Sequence, residues 1–131
     1  MRYVITPDVA LSLARDQSRI AEGVQLVAPT LIRSQVLSRL YAMVRAGEMS
    51  EADARDALAY IRALRMRLLG DRVLQDVAWQ MATELDLDET FDAEYIALTR
   101  LQADALVTGD PELRRAASTL VTVTNLKDLV D

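Results

Sequence analysis

A chain of 131 residues, 51% of them hydrophobic, is long enough for one domain with a substantial core, and none of its apolar runs has the length of a membrane span. It has no Cys and no His, which excludes disulfides, thiolate nucleophiles, zinc–thiolate sites and any imidazole base. Acid–base or metal chemistry therefore falls to carboxylates, which together with water favour Mg²⁺ or Mn²⁺, and the net charge of −5 argues against a generic nucleic-acid binder.

The apolar start is interrupted by Pro7, Asp8 and Arg15, so it does not read as a signal peptide, and a soluble, cytoplasmic protein is expected. The pattern then alternates short β-like runs with longer helical ones. It predicts a strand over 3–5 and a helix over about 8–16, with Asp8 at the junction as a helix cap. A second strand over 24–28 closes at Pro29. Thr30 is expected to cap a helix whose Ile32, Val36, Leu40, Met43 and Val44 share one face and which stops at Gly47. Ser50 and Asp53 resemble a capping box for a helix with Ala54, Ala57, Leu58, Ile61 and Leu64 as its stripe.

A short strand over 65–69 precedes the Gly70-Asp71 turn, and Asp71 caps a helix with Leu74, Val77, Met81 and Leu85 inward. Thr90 opens a helix with Phe91, Tyr95 and Leu98 recurring. A strand over 105–108, a short helix over 111–117 and a last strand over 120–123 complete the chain. This alternation implies a parallel sheet of about five short strands with helices on both faces, a three-layer α/β/α fold. No repeat, linker or low-complexity tract divides residues 1–131, so a single domain is expected.

Charge is segregated along the chain. Residues 33–72 hold eight arginines against five acids, whereas residues 73–112 hold ten acids against one arginine. Arg62, Arg65, Arg67 and Arg72 are candidates for phosphate contact, with a merely solvated helix face as the bland alternative.

Asp8 follows the first strand, Asp110 follows the strand over 105–108, and Asp92 lies in the first turn of the helix before that strand. A helix of about 12 residues descends roughly 18 Å. A strand of about five residues climbs roughly 17 Å back. Asp92 and Asp110 thus belong to one sheet edge, and Asp8 shares it. Singly, each acid is accounted for by helix capping or the helix dipole, with Pro111 at the first helical position after Asp110. Together they form a candidate centre for a hard divalent cation. Glu94 points to another face of its helix and reads as solvated, and Gly109 reads as a turn glycine. Trp79 reads as core or interface.

Three stretches carry a resemblance to a known family. "YVITPDVAL", "APTLIRSQVLSRL" and "FDAEYIALTRLQADALVTGDPEL" resemble the corresponding stretches of PIN domains, in particular the VapC-type toxins of bacterial toxin–antitoxin pairs, and the likeness covers essentially the whole chain. The last stretch is the most specific, with Asp-Ala-x-Tyr at Asp92–Tyr95 and Thr-x-Asp at Thr108–Asp110. The family's first Asp falls at Thr6 and its helix Glu at Gln35, so only Asp92 and Asp110 match among four acidic positions. Asp8 stands where the family has a hydroxyl residue, and is expected to supply the carboxylate that Thr6 lacks.

The resemblance implies a Mg²⁺- or Mn²⁺-dependent endoribonuclease with a remodelled, weakened site of Asp8, Asp92 and Asp110, and with Thr6, Gln35 and Thr108 around it. It also implies a homodimer and a cognate antitoxin gripped by the apolar faces of helices 30–46 and 51–64. The alternative is a catalytically inactive PIN domain that binds RNA or protein, which the departures at Thr6 and Gln35 favour. Another metal-dependent hydrolase on the same edge ranks last.

Overall fold

Short apolar runs become strands where a turn residue follows them, and amphipathic runs become helices where a cap precedes them. The computed structural model describes residues 1–131. Its elements run β1 (Arg2–Ile5), α1 (Pro7–Arg15), β2 (Gln25–Pro29), α2 (Ile32–Arg45), α3 (Glu51–Ala63), β3 (Met66–Leu69), α4 (Arg72–Glu84), α5 (Phe91–Gln102), β4 (Ala105–Val107), α6 (Pro111–Ala117) and β5 (Val123–Thr124), followed by a 3₁₀ turn over Leu126–Leu129. No helix is long and apolar enough to cross a membrane.

The five strands form one sheet in the order β3-β2-β1-β4-β5, and every pairing is parallel. The chain builds outward from β1 to β3 and then returns to place β4 on the other side of β1. That reversal makes the gap beyond the carboxyl ends of β1 and β4 the topological switch point, where open α/β sheets bind ligands. Ile5 is in register with Val107, so Thr6 and Thr108 leave the sheet side by side.

The strands are buried as continuous apolar runs: Val4, Ile5, Ala28, Leu106 and Val107 are fully enclosed. Helix α5 packs on β1, β2 and β4 and against α4, while α1, α2 and α3 pack on one another. Ala93, Tyr95, Ile96, Ala97, Leu98 and Thr99 of α5 are all buried, so this helix is apolar on most sides. The Thr99 hydroxyl is satisfied within the helix by donating to the Tyr95 carbonyl at 2.8 Å.

Several caps form as expected. Ser50 accepts from the Asp53 N–H at 3.0 Å and Asp71 from the Leu74 N–H at 2.9 Å. Gly47 ends α2 with φ +76°, which lets the Glu48 N–H reach back to the Met43 carbonyl at 2.9 Å.

Other boundaries differ from the sequence expectation. Helix α2 begins at Ile32 after Leu31, with no side-chain cap, and Thr30 instead packs against Gly70, where an added Cβ would meet its Oγ1 at 2.8 Å. The last strand starts at Val123 rather than at 120, because the N–H groups of Leu120 and Val121 are committed to the Ala117 carbonyl at the end of α6. Trp79 is 71% exposed and so lies outside the core.

Truncating the core should be far more damaging than truncating the exposed aromatic. Leu106→Ala at a fully buried strand position should lower the unfolding free energy by about 2–5 kcal/mol. Trp79→Ala should change it by less than about 1 kcal/mol, as surface substitutions generally do. Urea unfolding followed by circular dichroism measures both.

Candidate active site

The switch-point edge is built from two neighbouring turns. At the first, Pro7 occupies the opening position of α1, where a missing N–H is harmless and φ is already helical. This places Thr6 at the N-cap and Asp8 inside the first turn. Asp8 is therefore not the helix cap that its sequence position suggests, and Thr6 makes no side-chain capping bond either.

Asp8 is instead engaged across the sheet edge. Its Oδ2 accepts the Gly109 N–H at 2.8 Å, and its Oδ1 accepts the Thr6 hydroxyl. The Thr108 hydroxyl lies 3.5 Å from the same Oδ1 and itself accepts the Asp110 N–H at 3.2 Å. Thr6 and Thr108 are each 2% exposed, so these bonds satisfy hydroxyls that water does not reach. Gly109 is more than a turn glycine: a Cβ there would stand 2.9 Å from Asp8 Oδ2.

At the second turn, Asp110 caps α6 as the sequence suggests, accepting the Glu112 N–H at 3.0 Å with Pro111 at the first helical position. Asp92 lies in the first turn of α5, whose start returns to this same edge. The Asp92 carboxyl is pushed above the ordinary aspartate range, first by desolvation and then by the charge of Asp110, with Glu89 and Glu112 adding to it. Arg39 pulls in the opposite direction. Glu94, which the sequence suggests is solvated, is only partly exposed, and desolvation raises its carboxyl too.

Gln35 reaches the edge from α2 and accepts the Tyr95 hydroxyl at 2.6 Å. Burial drives the Tyr95 phenol far above the usual tyrosine range, so it remains a proton donor. Arg39, one helical turn beyond Gln35, is a member of the site that sequence reasoning misses. Its spacing of four residues from Gln35 is the available signal, because positions i and i+4 share a helix face.

The edge thus brings Asp92 and Asp110 within electrostatic reach of each other, while Asp8 is tied into its own bonds. No group of three or more acidic side chains is placed to hold a metal ion. The shared sheet edge expected from sequence exists, and its three acids are not gathered into one cluster. The donors at this edge are partly engaged with one another. Both Asp8 oxygens accept hydrogen bonds, Gln35 offers a neutral oxygen that accepts from Tyr95, and the Thr6 hydroxyl donates to Asp8.

Arg62, Arg65, Arg67 and Arg72 are exposed along the end of α3, the outer strand β3 and the start of α4. None of them is in an ion pair; the two pairs in the molecule are Arg15–Asp16 and Arg55–Glu51.

Asp8→Ser separates capping from cross-edge bonding, since Ser is a good cap but too short to reach Gly109. Both Asp8→Ser and Asp8→Ala should lose about 1–3 kcal/mol of stability, by the loss of acceptors for buried donors. Full retention in Asp8→Ser would contradict the bonding described. Asp92 behaves differently. Its raised carboxyl disfavours the ionised native state, so its unfavourable contribution grows as pH rises through the folded-state titration. Asp92→Asn should raise Tm at neutral pH, and the gain should vanish below the ordinary aspartate range, as thermal melts across pH will show.

No family model and no curated protein matches the chain. Among solved structures it is similar to the crystal structure of PAE2754 from Pyrobaculum aerophilum, with a TM-score of 0.77 and 21% identity over 97% of this chain and 90% of that one. It is also similar to the crystal structure of VapBC2 from Rickettsia felis bound to a DNA fragment from their promoter, with a TM-score of 0.66 and 12% identity over 95% of this chain and 98% of that one. At these identities the likeness is one of fold, and the chain has a PIN-like three-layer α/β/α architecture around an all-parallel sheet.

Proposed function

We propose that the chain is a VapC-like, PIN-fold protein of a toxin–antitoxin pair that engages RNA by binding, in the cytoplasm and as a homodimer. The observation that carries this reading is the row of unpaired arginines, Arg62, Arg65, Arg67 and Arg72, on a protein whose net charge is −5. Guanidinium groups that no carboxylate neutralises are available for phosphate oxygens, to which they bond in bidentate fashion.

An antitoxin is the proposed protein partner. Helices α2 and α3 enclose a groove of about 430 Å³ lined by Ile32, Val36, Leu37, Leu58, Ile61 and Leu64, and Leu37 is 56% exposed. An amphipathic helix buries its apolar face in such a groove. The resemblance to a VapBC complex supports this partner class.

The second reading is a Mg²⁺- or Mn²⁺-dependent endoribonuclease using Asp8, Asp92 and Asp110. The mutual repulsion of Asp92 and Asp110 favours it, since a divalent cation near the pair would relieve that repulsion. Incubating RNA with the protein in Mn²⁺ or in chelator orders the two readings. Cleavage that needs Mn²⁺ and disappears in Asp92→Asn would make the chain a nuclease; intact, bound RNA supports the binding protein.

Charge reversal tests the arginine edge directly. The double variant Arg65→Glu with Arg67→Glu should weaken single-stranded RNA binding at least tenfold by fluorescence anisotropy, as judged from about 1.4 kcal/mol. The salt dependence should flatten by about 0.7 in slope for each phosphate that is no longer neutralised. Unchanged affinity and slope would remove these arginines from the interface.

A further inference from the structure

We propose that the switch-point edge is held together by a hydrogen-bond clasp that makes it independent of divalent cations, and that Asp8 is its positioning residue. The clasp joins the β1–α1 turn to the β4–α6 turn, which are about 100 residues apart in the chain but in adjacent register in the sheet. Three donors converge on one carboxylate: the Thr6 hydroxyl, the Thr108 hydroxyl and the Gly109 N–H. The Thr108 oxygen accepts the Asp110 N–H in turn, so the acid that caps α6 is connected to Asp8 through a single hydroxyl.

A carboxylate at position 6 would meet Asp8 with like charge, and such a pair is stable only with a shared proton or a cation between its oxygens. Thr6 presents a proton to Asp8 instead of a charge. On the facing helix, Gln35 presents a neutral oxygen to the protonated Tyr95 hydroxyl. The Thr6–Asp8 and Gln35–Tyr95 contacts are thus closed by a donor and an acceptor of matched kind, while Asp92 and Asp110 still repel each other.

Gly109 lets the Asp8 carboxylate come close to its backbone: a Cβ at this position would stand 2.9 Å from Asp8 Oδ2. The inference goes beyond the proposed RNA binding and does not rest on it, because its readout is stability rather than affinity for nucleic acid.

Thermal melts of the full chain in chelator, in about 5 mM MgCl₂ and in about 5 mM MnCl₂ test it, since a cation bound only by the folded state must raise Tm. The wild-type melting temperature should be the same in all three to within about 1 °C. Asp8→Asn replaces one acceptor oxygen with a donor, and should lower Tm equally in all three. Thr6→Asp should lower Tm in chelator and recover it in Mn²⁺. A wild-type Tm that climbs several degrees in Mn²⁺, with the rise lost in Asp8→Asn, would overturn the clasp. So would a Thr6→Asp protein as stable as wild type in chelator. If Thr6→Asp does not fold without cation but folds with it, the clasp is supported; if it folds in neither, the wild-type and Asp8→Asn melts decide.

Discussion

The parallel pairing of β1 with β4 is the constraint on which the rest of the molecule depends. It joins Tyr3–Ile5 to Ala105–Val107 and thereby puts a strand from the first few residues beside one from the last quarter of the chain. Both strands are enclosed by helices, so their register is fixed by apolar packing as well as by the ladder. At one end, Asp104 and Arg2 exchange bonds: the Arg2 N–H donates to the Asp104 carboxylate and the Asp104 N–H to the Arg2 carbonyl, each at 2.8 Å. At the other end stands the Asp8 network. The pair is thus secured at both ends by an aspartate from one turn bonded to backbone from the other.

The same topology separates charge in space. Strand β3 lies at one outer border of the sheet, with the exposed arginines on and around it, whereas the acids gather where α5 and α6 begin. Segregation along the sequence becomes segregation across the surface because each half of the chain builds its own side of β1. A ligand with a phosphate backbone is attracted by one side and repelled by the other, which restricts the orientations in which it can bind. Arg39 is the exception, a cation close enough to oppose the upward shift of both Asp92 and Tyr95.

The architecture is legible in the sequence because its signals are local. Alternating apolar runs, Ser50 and Asp71 as caps, and Gly47 as a stop are written within a few residues of where they act. Thr30, Asp8 and the start of β5 depart from the sequence expectation for a common reason: each is decided by a partner outside its own segment. Thr30 packs on Gly70, Asp8 turns to Gly109, and the backbone before Val123 is already committed to α6. The candidate site is legible as an edge but not as a geometry. Sequence places Asp8, Asp92 and Asp110 at the same end of the sheet, yet whether three carboxylates face one point depends on side-chain bonds that span the chain. Gln35 and Thr6 are visible as departures from an acidic pattern; that each finds a specific partner, Tyr95 and Asp8, is not.

Long-range pairing also sets an order of assembly. Strands β1, β2 and β3 and the helices between them come from the first 69 residues, but β1 has no neighbour on its other side until β4 is present. Contacts between residues so distant in sequence form late, because the loop between them must close first. During synthesis on a ribosome, the N-terminal half would have one flank of its central strand uncovered until residues near 107 have emerged. The switch-point edge therefore forms late, and a nascent chain carries the arginine border well before it carries the acidic one.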